Sequence, residues 1–249
     1  MGAHPLGQEP RGLTVDVLGD LIRWLTAPEQ WSGPSGIPVR TLQHVWYSAL
    51  ATGIAAAIAL PIGVAIGHLG RGGLLVINLS NLGRALPSLG IIILVFTLVG
   101  FGVVPVLVAL TALAIPPIVT NSYVGMRSVD RDVREAAEGM GMTGWQVLWR
   151  VELPVAMPLI MAGVRTSAVQ VVATATLAAF VGLGGLGRYL IDGFAQRDLP
   201  QVLGGAVLVA LLSLLTELVL GRVQALVVSK GLAQESAEAA VGAKVQKAA

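Results

Sequence analysis

Long runs in which nearly every position is apolar alternate along the chain with short stretches in which charges gather, and the runs set the elements. Between Thr41 and Gly67 there is no Asp, Glu, Lys or Arg, and about 20 apolar residues suffice to cross the hydrocarbon core of a bilayer. This predicts a first span over 41–67, with Pro61 a candidate kink. A second span is expected over 74–99, interrupted by Arg84 and Pro87, and a third over 103–126, beyond the turn Gly100-Phe101-Gly102. The fourth, 155–180, contains Arg165, and the fifth, 199–221, contains Glu217, for which Arg222 is a candidate partner. Arg165 is expected to snorkel towards the inner face.

Ahead of the spans, Asp16, Asp20 and Arg23 recur at helical spacing opposite Val17, Leu18, Leu21, Trp24 and Leu25. That is an amphipathic helix, lying along the membrane surface or packed on other helices of the chain. Pro28 to Pro38 reads as a loop and the tail after Lys230, rich in Ala, Gln and Lys, as a disordered end. Three parts follow: an external segment over 1–40, a membrane domain over 41–229 and a cytoplasmic tail over 230–249.

Composition agrees with this pattern. Of 249 residues, 55% are hydrophobic and 12% charged, and the mean hydropathy of +0.78 leaves too little polar surface for a solvated globule. The 31 glycines and 13 prolines sit within Ala, Val, Leu and Ile runs, where membrane helices accept them. With no cysteine, disulfides, thiolate metal sites and cysteine nucleophiles are excluded. The net charge of +2, with basic residues dispersed, gives nucleic acid no electrostatic footprint; the surrounding partner is membrane lipid.

Loop charges orient the spans. Arg71, Arg127, Arg131, Arg134, Arg150, Arg222, Lys230, Lys244 and Lys247 fall on one side, and Arg11, Arg23, Arg40, Arg188 and Arg197 on the other. The positive-inside rule then puts the C-terminus and the loop between the third and fourth spans in the cytoplasm, and the N-terminus outside.

That loop, residues 127–154, is the most charged internal segment. Asp132 is expected to cap a helix that Gly139 and Gly141 end, and Thr143 with Gln146 forms a capping box for a second helix that stops before Pro154. Trp145, Leu148 and Trp149 make an apolar stripe on this elbow, and something soluble is expected to dock there.

At Glu135-Ala136-Ala137, followed by Gly141 and by Val151-Glu152-Leu153-Pro154, the loop resembles the EAA loop of permeases of ATP-binding cassette (ABC) importers; only Val151 departs from the usual Ile. The resemblance covers nearly all of Thr41 to Gly221. It implies an all-α, five-span type I importer permease core, MetI-like, with the N-terminal amphipathic helix added. It also implies that Glu135, Ala136, Ala137, Gly141, Leu153 and Pro154 couple the chain to a separate ATPase subunit, which would bind the ATP and Mg. A second permease copy or paralogue and an extracytoplasmic substrate-binding protein complete the implied assembly, in a bacterial cytoplasmic membrane. The segments Arg84-Ala85-Leu86-Pro87-Ser88-Leu89-Gly90, Gly139 to Trp145, and Thr174 to Gly187 are similar to the osmoprotectant branch of the family, which serves glycine betaine, carnitine, choline or proline betaine. The alternative within the family is another small solute such as an amino acid.

Other signals are weaker. Gly182, Gly184 and Gly187 match a dinucleotide-binding spacing, but they follow an apolar helix instead of opening a βαβ unit. No Gly-x-x-x-x-Gly-Lys-Ser/Thr occurs, so the chain is expected to carry no cofactor and no ATPase site by the P-loop route. His4, His44 and His68 show neither metal nor triad spacing, which argues against an enzyme. An ion-coupled transporter would call for midplane acids in paired repeats, which are not evident. Arg84, Pro87, Thr174, Thr176 and Phe180 are the candidates for lining a pathway or gate, since intramembrane charges and helix breaks mark such places.

Overall fold

The geometry comes from a computed structural model, which describes residues 13–74, 76, 78, 81 and 87–228. Helix α1 spans Leu13–Thr26, α2 Ile37–Leu69, α3 Ser88–Val99, α4 Val104–Arg127, α5 Arg131–Gly139, α6 Gly144–Val147, α7 Leu153–Thr174, α8 Gly187–Gln196 and α9 Leu199–Val227. No strand occurs among the described residues.

Along α2 the buried positions Ala51, Ala55, Ala59, Gly63 and Gly67 recur every fourth residue, while Ile54, Ile58 and Ile62 face outward. In lipid a large aliphatic side chain gains little by leaving the tails for a neighbouring helix. The protein-facing side therefore selects small residues that let backbones approach. Helix α4 is that neighbour: a β-carbon added at Gly63 would lie 2.6 Å from the Ser122 β-carbon and 2.9 Å from the Val119 carbonyl oxygen. The same device joins α4 to α7, where one at Gly163 would lie 2.6 Å from the Asn121 β-carbon. The Ser167 hydroxyl donates across this contact to the Ala114 carbonyl at 2.9 Å. Ile92, Val106, Leu110, Ile118, Val119 and Val171 fill the core around α4.

Helix α9 packs against α7 and α8, and α1 against α9. Of the two arrangements open for the N-terminal amphipathic helix, packing is the one found. Trp24 is buried, edge-on to Tyr189 with ring centroids 5.1 Å apart, over the space left by Gly204, whereas Leu18 and Ile22 stay 60% exposed.

Among the described residues, four helical stretches are long and apolar enough to cross a bilayer: Ile37–Leu69, Val104–Arg127, Gly144–Val181 and Leu199–Val227. Of the expected second span only α3 is a described apolar helix. Its 12 residues rise about 18 Å at 1.5 Å each, short of a crossing.

Three expectations are corrected, the first about the helix leading into the fourth crossing. It does not stop before Pro154: α6 runs through a π-helical turn at Leu148–Glu152 directly into α7. The N–H of Leu153 bonds back five residues to the Leu148 carbonyl, and this wider turn carries the chain past the proline's missing donor without a break. At the other end, Glu217 pairs with Arg165, whose Nε lies 3.2 Å away on α7. It does not pair with Arg222, and Arg165 does not simply snorkel. Charges on two helices that touch can satisfy one another where each would otherwise face lipid alone.

After α7 a 3-10 turn, Ala175–Val181, leads to a bend in which Gly182 and Gly185 adopt φ of +79° and +94°. The bend is pinned to α2. Gln43 Oε1 accepts from the Gly185 amide at 2.9 Å, and His44 Nδ1 accepts from the Leu186 amide at 3.3 Å. Since Nδ1 accepts, the proton of the neutral ring sits on Nε2, which donates to the Val172 carbonyl at 2.8 Å. The buried His44 is thereby a structural tie, and the glycine spacing is that of a bend.

Candidate functional site

Most residues of the elbow between α4 and α7 are exposed. Helix α5 begins at Asp130, whose carboxylate accepts from the Asp132 amide at 2.9 Å. The cap is therefore Asp130, and Asp132 lies in the first turn, where its charge still faces the helix's positive end. The chain leaves α4 at Ser128, so Asp130 is the residue in extended conformation just before the first helical turn, which is what an N-cap requires. Of the nine residues of α5 only Ala137 is buried. Glu135 and Ala136 face solvent, Glu135 in an i,i+4 ion pair with Arg131 at 2.7 Å.

Gly141 then takes φ +83°, a left-handed conformation that turns the chain back towards the bundle. Thr143 and Gln146 form the expected capping box, with the Thr143 amide 2.8 Å from Gln146 Oε1. The apolar stripe expected from Trp145, Leu148 and Trp149 is divided. Leu148 and Val147 point inward and are buried, while Trp145 and Trp149, four residues apart, stack edge-on at 5.4 Å on the outer side, 68% and 55% exposed. Leu153 packs, half-buried, against the cluster of Met126, Leu148, Ala156 and Ile160, and Pro154 is exposed. The structure thus brings the expected residues together as two faces: Glu135 and Ala136 outward, Ala137 and Leu153 inward.

Three residues that the sequence did not single out tie the elbow down. Glu152 is 1% exposed. One of its oxygens, Oε2, lies 2.5 Å from His68 Nδ1, at the end of α2, and the other lies 3.0 Å from Arg134 Nε, on α5. The Arg134 contact is an ion pair and not an aligned hydrogen bond. Arg134 also donates through a terminal nitrogen to the Met126 carbonyl near the end of α4. A carboxylate two residues before a proline at the mouth of an apolar run is the signal that marks Glu152 in sequence. Its partners are 84 and 18 positions distant, beyond the reach of any local pattern.

The pathway candidates are arranged differently. Arg84 lies outside the described residues. Pro87 is exposed at the start of α3, which packs against the 3-10 turn holding Thr176 and Phe180. Thr174 is half-buried as the last residue of α7, Thr176 donates its hydroxyl to the Ala173 carbonyl at 3.0 Å, and Phe180 is exposed. None of the four described candidates lines the apolar groove of about 440 Å³ between α2, α7 and α9, whose walls include Val45, Ser48, Val164, Ala168, Leu212 and Val219.

Comparison with known proteins converges on one group. The family described as binding-protein-dependent transport system inner membrane component matches residues 38–230. The glycine betaine/carnitine/choline transport system permease protein OpuCB of Bacillus subtilis (strain 168) is 39% identical over 193 residues, 78% of this chain and 89% of that one. The osmoprotectant import permease protein OsmW of Salmonella typhimurium is 36% identical over 197 residues, 77% of this chain and 92% of that one. Among solved structures, an inward-facing conformation of the MetNI methionine ABC transporter superposes with a TM-score of 0.68 at 21% identity, covering 82% of this chain and 100% of the matched chain, which is a likeness of fold. A bundle that is helical throughout its described residues, with an exposed elbow, and matched along most of its length by transport permeases, is a multi-pass membrane protein of the solute-transport kind. The chain belongs to the family of inner membrane components of binding-protein-dependent transport systems.

Proposed function

We propose that this chain is the permease subunit of an ABC importer for a small osmoprotectant of the betaine and choline type, driven by a separate ATPase that grips the elbow from the cytoplasm. The observation carrying the proposal is the elbow itself: a capped helix with only Ala137 buried, bent by Gly141 and projecting from an otherwise apolar bundle. A helix exposed on nearly all sides gains nothing from the bundle beyond its attachment, and presents Glu135 and Ala136 to a partner. The identity of 39% to a permease named for glycine betaine, carnitine and choline supports the solute class. Nucleotide and Mg belong to the ATPase, the solute is captured first by an external binding protein, and two permease subunits form the pathway. In this orientation the N-terminus is outside and the C-terminus inside, which requires residues 74–99 to complete a fifth crossing.

Because the chain has no cysteine, one engineered cysteine reports topology directly. Glu138→Cys, exposed on α5, should react with an impermeant maleimide only after the cytoplasmic side is opened. Vesicles holding the permease, its ATPase and its binding protein should take up labelled glycine betaine, carnitine or choline only with ATP, and Gly141→Asp or Glu135→Lys should abolish uptake while the protein stays inserted. Labelling from outside, or uptake driven by a proton or sodium gradient without ATP, would overturn the proposal. Uptake of an amino acid in place of the quaternary amines would reassign the solute.

A further inference from the structure

Glu152 is a fully buried carboxylate near the mouth of a membrane crossing, and it faces an imidazole and a guanidinium from two other elements at once. His68 closes the last turn of α2, and Arg134 stands on α5 beside Glu135. Through Arg134 the Met126 carbonyl, and with it the end of α4, joins the same cluster. Glu152 itself lies in the π-helical turn that opens α7. One carboxylate thus links the exposed helix of the elbow to three membrane-embedded helices.

We propose that Glu152 is a positioning residue for transport: it forms, with Arg134 and His68, the strut that carries a displacement of α5 into α2, α4 and α7. This rests on the reading that an ATPase docks on the elbow. The argument is mechanical. Helix α5 has only Ala137 buried, and a single methyl cannot transmit much force sideways. The remaining lateral attachment of α5 is Arg134, only 16% exposed at its side chain against 2% for Glu152. Away from water such a charge pair is strong, and moving one partner without the other strands a buried ion. When α5 shifts, the lowest-energy response is for Glu152, and the π-helical turn that holds it, to follow. A π-helical turn suits that role, since its hydrogen bonds are already off the α-helical register and can move between the two patterns. The carboxylate touches no solute; it acts through the helices it joins.

The test uses the complete importer, permease with ATPase and binding protein, in lipid vesicles. ATP hydrolysed and labelled glycine betaine taken up are measured together for wild type, Glu152→Gln, Arg134→Gln and the double variant. A merely structural role would lower both quantities with the amount of folded complex and leave their ratio alone. The strut predicts that solute taken up per ATP falls by roughly tenfold in each single variant, a coupling of ordinary size for groups in one network. The double variant should be no worse than the poorer single one, since the strut can be broken only once. Independent effects would instead multiply, towards about a hundredfold. An unchanged ratio in Glu152→Gln, or multiplying losses, overturns the strut. If Glu152→Gln fails to insert, Arg134→Gln and His68→Gln decide in the same way, a lowered ratio supporting the strut and an unchanged one overturning it. Failure of the docking reading is distinct: the wild-type chain would then neither retain an ATPase on purification nor show hydrolysis linked to uptake.

Discussion

A single added methyl group at Gly63 should separate the two helices that form the heart of this bundle. Its β-carbon would sit 2.6 Å from the Ser122 β-carbon and 2.9 Å from the Val119 carbonyl oxygen, while ordinary contact begins at 3.4 Å. Neither atom can swing away, because one is backbone and the other is fixed directly to it. Helices α2 and α4 must therefore part by about 0.8 Å at this level. A gap of that size forfeits a quarter to a half of the dispersion attraction along the seam, and overpacking of this kind costs about 1–3 kcal/mol. The control lies on the same helix: an added β-carbon at Gly53 meets nothing within 4 Å. Gly53→Ala should be neutral or stabilising by up to about 1 kcal/mol, from helix propensity alone. Thermal unfolding of the detergent-purified protein, followed by tryptophan fluorescence or by loss of monodisperse material, should rank Gly53→Ala at or above wild type and Gly63→Ala clearly below both. Equal melting of the two variants would refute the claim that small residues set the distance between α2 and α4.

Gly141 at φ +83° should not accept a side chain, so Gly141→Ala is expected to cost about 1–2 kcal/mol locally, whereas Gly139→Ala, with nothing within 4 Å and an ordinary φ, should not. Hydrogen exchange confined to residues 131–147 should quicken for Gly141→Ala alone; equal exchange in the two variants would contradict the left-handed bend. Arg165 and Glu217, 3.2 Å apart and each partly exposed, should show a rescue: Arg165→Gln or Glu217→Gln alone is expected to destabilise by about 1–2 kcal/mol, between the values for exposed and buried pairs. The double variant should recover most of that loss, and additive losses in melting temperature would show that the two charges act separately.

The crossings were legible where one physical rule was sufficient. Thr41 to Gly67 and the runs now in α4 and α9 contain apolar residues for a full hydrocarbon thickness, and helices are the only open-ended elements that satisfy their backbone there. Legibility failed where a rule for ordinary α-helix met a different local geometry. Pro154 should end a helix that bonds i to i−4, and it does not end this one because the preceding turn is π-helical. The seam of Ala51, Ala55, Ala59, Gly63 and Gly67 has a plain four-residue period, yet it lies in a run so rich in Ala and Gly that the period does not stand out from its background. Only contact with α4 shows which small residues matter: Gly53 and Gly63 look alike in sequence and differ entirely in what surrounds them.

The elbow divides in the same way between local and distant causes. Its caps, its bend and the exposure of Glu135 follow from residues within four positions of one another, and the sequence foretells them apart from the exchange of Asp130 for Asp132. Which of its nine charged side chains is buried does not follow from spacing, because burial is decided by helices that are far away in the chain. Glu152 could face water as readily as Glu138 does if the end of α2 did not bring His68 to it. A chain with so few charges has no general tendency to bury one, and an unpaired carboxylate at this depth would be expelled or protonated. Finding it enclosed and met by Arg134 and His68 from separate elements therefore argues that the pairing is what holds these helix ends in register. It also explains why the local pattern can mark Glu152 as unusual and still leave its partners, 84 and 18 positions away, unread.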